Sequence, residues 1–87
     1  MVLGLCVLVN VDSYVMNAGS MPKLKNEISG LRTGTKVYEM SPSSLYELLV
    51  KIDGNDETEL KNMSSKIRRM NGVRSTMTHL IVESYNP

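Results

Sequence analysis

Residues 2–11, VLGLCVLVNV, are apolar on both faces of any strand they form. Leu3, Leu5, Val7 and Val9 occupy one parity, and Val2, Cys6 and Leu8 occupy the other. Side chains along a strand alternate between two faces, so this strand needs cover on both sides and belongs in the middle of a sheet. In a chain of 87 residues, which makes one domain over residues 1–87, there is little material to provide that cover twice.

The rest of the chain reads as strands and helices in alternation. Residues 13–19 read as a surface loop. Ser20 stands where it caps a helix, with Pro22 in the first turn, where a missing N–H costs nothing. Met21, Leu24, Ile28 and Leu31 then recur at helical spacing, and Gly30 and Gly34 end the helix. Residues 36–40 read as a strand, Ser41-Pro42-Ser43-Ser44 as a turn, and residues 45–52 as the partner strand. Asp53-Gly54-Asn55 breaks it. Asp56 followed by Glu59 is a capping-box arrangement, after which Leu60, Met63, Ile67 and Met70 make a second apolar stripe ending at Gly72. Residues 73–84 read as a last strand.

The resulting order, βαββαβ, consists of two strand–helix–strand crossovers. Right-handed crossovers place the first and third strands centrally in a four-stranded antiparallel sheet, with both helices on one face. The expected fold class is therefore α+β, a ferredoxin-like sandwich. Its other sheet face stays bare although the first strand is apolar there too. A bare apolar face of several hundred Å² is unusual on a monomer, so a homodimer formed through the sheet is expected.

Composition excludes several partners. The net charge is +1, with basic and acidic residues intermixed, and there is no recognition helix, so direct DNA binding is not expected. The first strand lacks a basic leader, is too short to span a bilayer and precedes no small-residue cleavage site, so the chain reads as cytoplasmic, with no membrane contact. The single cysteine, Cys6, neither closes an internal disulfide nor supplies a metal cluster and reads as a small core residue. No cofactor or metal site is expected. An RNA-recognition surface needs exposed aromatics on its central strands, and the chain has no Phe or Trp. Paired thiols, a phosphate-binding Gly-rich loop, zinc spacing and a Ser-His-Asp order are also absent from the sequence. One enzymatic alternative survives: a small dimeric αβ-barrel of the monooxygenase or dehydratase kind, with His79 in a cavity joined by Tyr46 and Glu47.

The segment KVYEMSPSSLYELLVKIDGNDETELKNMSSKIRRMNGVRSTMTHLIVE resembles the effector-binding module of the leucine/asparagine-responsive (Lrp/AsnC) regulators, the RAM domain, named for the regulation of amino-acid metabolism. Ser44-Leu45-Tyr46-Glu47-Leu48-Leu49-Val50 is similar to the family's turn and following strand, with serine in place of the turn glycine and glutamate in place of aspartate. NGVRSTMTHLIVE is similar to its Gly-Val-Arg turn and Thr-rich strand, and LCVLVNVD to its opening strand. The family's helix-turn-helix half has no counterpart, so the chain looks like a stand-alone module.

The resemblance implies a ferredoxin-like fold, a sheet-to-sheet dimer often assembled further into octamers or decamers, and amino-acid effector sites between dimers. It implies a non-enzymatic role in transcription regulation, by co-assembly with full-length Lrp/AsnC regulators. It also implies a ligand site at Met40, Ser43, Ser44, Tyr46 and Glu47, with Thr76 and Thr78 of the last strand nearby. A carboxylate such as Glu47 suits an α-ammonium group, and turn N–H groups and hydroxyls suit an α-carboxylate.

Overall fold

The computed structural model describes residues 2–82. Four strands, β1 (Gly4–Val11), β2 (Lys36–Glu39), β3 (Leu48–Asp53) and β4 (Val73–Ile81), form one antiparallel sheet in the order β2-β3-β1-β4. Helices α2 (Met21–Ser29) and α3 (Glu57–Arg68) pack on it, α2 against β2 and α3 against β1 and β4. The fold is the expected ferredoxin-like one, with β1 and β3 central.

Alternation decides what each face of the sheet carries. Leu5, Val7, Val9 and Val11 of β1 and Leu48, Val50 and Ile52 of β3 are buried beneath the helices, where Leu24, Ile28, Leu60, Met63 and Ile67 close the core. The opposite parity carries Cys6, Leu8 and Asn10, all half-exposed. Cys6 is thus a residue of the uncovered face and not of the core.

The helix signals behave unequally. Asp56 caps α3 as expected, its Oδ1 accepting the Glu59 N–H at 3.2 Å, while the Glu59 carboxylate turns outward to Arg32 at 3.1 Å. An Asp56→Ala variant is expected to lose about 1 kcal/mol of stability, measurable in a urea titration. Ser20 occupies the N-cap of α2 but makes no side-chain capping bond. Gly30 caps the end of α2 at φ −79°, so the left-handed turn falls later, at Gly34 with φ 87°.

Three expectations need correction. Residues 13–19 are not a loop: Ser13–Asn17 form a short helix, α1, that buries Val15 in the core. Five residues hold barely one turn, too few for a helical period to show. The hairpin strands are shorter than expected: β2 ends at Glu39 and β3 begins at Leu48, and residues 41–46 between them are turn and irregular backbone. Finally, the last strand ends at Ile81, with Val82 already irregular; residues 83 and 84 lie outside the described residues. Among the described residues, no helix is long and apolar enough to cross a membrane.

Candidate functional site

Where β1 and β2 stop and β3 begins, the segment 40–47 folds over the end of the sheet toward α1 and α2. Between them lies a cavity of about 450 Å³. Met40, Ser44, Tyr46 and Glu47 line it together with Ser41 and Pro42 of the same segment, Glu39 of β2, Met16 of α1 and Met21 of α2. Four of the seven residues singled out in the sequence are thereby brought together.

Glu47 is the most constrained of them. Its backbone N–H donates to the Val9 carbonyl at 3.0 Å, and its carbonyl accepts the Met40 N–H at 2.9 Å. Its side chain then does what a strand carbonyl ordinarily does: Oε1 accepts the Val11 N–H at 2.8 Å in a partly buried bond. The end of β1 is thus held by a carboxylate reaching back from residue 47. Oε2 has no protein partner among the described residues. Glu39, by contrast, is neutralised by Lys25 at 2.7 Å. Among the described residues the cavity therefore has one carboxylate without a cationic partner, and an ammonium group would complement it.

The remaining walls are soft. Three thioether side chains, Met16, Met21 and Met40, face Pro42 and Tyr46, and methionines adapt readily to the shape of an apolar group. The Tyr46 hydroxyl donates to Met77 Sδ of β4 at 3.8 Å. Hydroxyls of Ser41 and Ser44 provide the polar rim, and the Ser44 N–H closes the turn onto the Ser41 carbonyl at 2.8 Å.

Ser43 is exposed beside this cavity and is not part of its wall; its hydroxyl lies 2.9 Å from the Ser41 hydroxyl. Thr76 and Thr78 are elsewhere. They stand opposite Val9 and Val7, so they share the helix face of the sheet and line a separate recess with Lys61, Ser64, Ser65 and Arg68. The Thr78 and Ser64 hydroxyls are 2.6 Å apart, tying β4 to α3. His79 has the other parity and stands opposite Cys6 on the uncovered face, away from the cavity.

Sequence reasoning missed Met16, Met21 and Glu39, and named Ser41 and Pro42 only as turn residues. Met21 satisfied the helical stripe and Glu39 a strand position, so neither carried a separate signal; Met16 fell in the unrecognised helix.

No family model matches the chain. Among curated proteins it is similar to homocitrate synthases. With that of Sulfolobus acidocaldarius it shares 43% identity over 56 residues, 64% of this chain and 11% of the enzyme. With those of Saccharolobus islandicus and Saccharolobus solfataricus it shares 34% over 77 residues, 88% of this chain and 15% of each enzyme. The chain thus spans only a small part of these relatives' length. Two solved structures share its fold. MtbAldR superimposes with a TM-score of 0.77 at 13% identity, over 100% of this chain and 57% of that one. TTHA0845 from Thermus thermophilus gives a TM-score of 0.77 at 23% identity, over 98% of this chain and 99% of that one.

Proposed function

We propose that this chain is an effector-binding and oligomerisation module of the Lrp/AsnC type, taking a small amino acid in the cavity under residues 40–47. The observation that carries the reading is the cavity itself: one carboxylate without a cationic partner, an adaptable thioether wall and a serine-lined rim. Glu47 holds the α-ammonium through Oε2, the turn hydroxyls and N–H groups meet the α-carboxylate, and the methionines take the side chain.

Two further observations support it. The fold fills nearly all of TTHA0845, yet a segment similar to this chain makes up only a small part of the homocitrate synthases. A unit found both by itself and as a minor part of an enzyme behaves as an attachable sensor more than as a catalytic core. In addition, the uncovered sheet face carries Leu8, Leu49, Tyr38 and Met77, the last two nearly half exposed at 47% and 45%. A second copy laid on this face completes the burial of β1, and larger assemblies or co-assembly with full-length regulators build on that dimer. In this reading the chain is not itself an enzyme and does not bind DNA directly. The His79-centred enzyme would need that imidazole in a cavity, and it stands on the bare face instead.

The test is a melting screen of the common amino acids against the wild type and Glu47→Gln. At roughly a tenfold excess over Kd, one amino acid is expected to add about 1.4 kcal/mol to the wild type and markedly less to the variant. A screen in which no amino acid shifts the wild type, or in which Glu47→Gln responds equally, overturns the site.

A further inference from the structure

Helix α3 carries two stripes along its length. Leu60, Met63 and Ile67 are buried in the core, and Lys61, Ser64, Ser65 and Arg68, also at helical spacing, run beside them. This second stripe lines one side of a recess of about 330 Å³ whose other side is Thr76 and Thr78 of the edge strand β4. The two threonines stand opposite Val9 and Val7, which are fully buried, yet Thr76 is half-exposed and Thr78 exposed. The core thus closes over β1 and leaves the helix face of the edge strand open beside α3.

Every side chain lining this recess is a hydrogen-bond donor: one guanidinium, one ammonium and four hydroxyls, with no carboxylate and no aliphatic or aromatic group. Such a wall suits an anion and offers an ammonium group nothing. It is the reverse of the cavity under residues 40–47, with which it shares no residue. Arg68 has no carboxylate partner among the described residues. Lys61 is held by Glu57 at 3.0 Å, in a pair with both side chains more than half exposed. Ion pairs this open to water are weak and give way to a stronger acceptor. Lys61 and Arg68 lie two turns apart, about 10 Å along the helix axis, with the serines between them. Their long stems let both charges reach a group seated midway. The Ser64 and Thr78 hydroxyls, 2.6 Å apart, are already fixed against each other. A cation in the last turn also complements the helix dipole, but Lys66 does that equally and lies outside the recess.

We propose that this recess binds a phosphate dianion, free or as the ester of a small molecule. The Arg68 guanidinium meets two phosphate oxygens as a fork, Lys61 supplies a point charge, and the hydroxyls of Ser65 and Thr76 donate to the remaining oxygens. Its volume is at the lower end of the usual range for ligand pockets, which suits a small ester. The site is independent of the amino-acid reading, and it lies on the opposite face of the sheet from the proposed dimer contact.

The experiment titrates the full chain with inorganic phosphate, glycerol phosphate or glycerol, at an ionic strength held constant with sodium chloride, and follows the backbone amide signals by NMR. Both phosphates are expected to give saturable shifts centred on Ser64, Ser65, Thr76 and Thr78, and glycerol none. Arg68→Gln should weaken binding roughly tenfold, the loss of a charge-assisted contact. Lys66→Gln removes the same charge outside the recess and should bind like the wild type. Tighter binding of glycerol phosphate than of inorganic phosphate identifies an ester as the ligand, and equal binding identifies free phosphate; either keeps the site. Shifts that do not saturate, that centre elsewhere, or that weaken as much in Lys66→Gln as in Arg68→Gln overturn the proposal.

Discussion

Replacing Gly72 by alanine is expected to lower stability by about 2–4 kcal/mol, combining the strain of a side chain at positive φ with overpacking. Gly72 sits just before β4 at φ 99°, where a side chain is strained whatever surrounds it. A Cβ built there would also come within 2.6 Å of Val15 Cγ2, and Val15 is the residue that anchors α1 in the core. For a domain of this size that loss is on the order of 10–25 °C in melting temperature. The effect has a functional side, because α1 carries Met16 into the cavity wall. Combining Gly72→Ala with Val15→Ala separates the two causes: the shorter side chain removes the collision but not the backbone strain. The double variant is therefore expected to be more stable than the sum of the singles by about 1 kcal/mol. Additive losses in a denaturant titration would mean that Val15 does not meet residue 72.

The second large effect is expected at Glu47. Glu47→Ala leaves the partly buried Val11 N–H without its acceptor, at a cost of about 1.5–3 kcal/mol for a bond to a charged group. Glu47→Gln keeps an acceptor oxygen at the same reach and should lose under half as much. Thermal melts without ligand give the comparison. Equal losses for the two variants would mean that the charge, and not the bond to Val11, stabilises the end of β1. This residue thus carries a structural bond on one oxygen and the proposed ligand contact on the other, which is why the glutamine variant is the proper probe of binding.

Much of the architecture was legible because its signals are local. The double-parity apolar run placed β1 at the centre, the stripe from Leu60 to Ile67 defined α3, and Asp56 with Glu59 marked its start. What escaped depends on residues far apart. Nothing near Glu47 announces a carboxylate that accepts a backbone N–H 36 positions away. The cavity needs α1, α2 and the segment 40–47 at once, and α1 is too short to carry a period. Thr76 and Thr78 are instructive in another way. They share the parity of Leu80, which packs against the core, and alternation along β4 puts them on the helix face. The resemblance drew them toward the hairpin instead, and parity was the better guide to where they lie in one copy of the chain.

The strand order also bears on how the molecule comes into being. β1 pairs only with β3 and β4, and its bond from Asn10 to Ser75 spans 65 positions. A chain made from its amino end therefore completes β1, its most apolar segment, before either of its partner strands. β1 waits first for β3 and then for β4. Loop-closure entropy must be met before these distant pairings return anything, which makes such a fold slower to form than a helical bundle of equal length. During that interval β1, apolar on both sides, is as ready to join a neighbouring nascent chain as its own. A tendency to associate through β1 therefore belongs to the unfinished chain, before the proposed dimer can form.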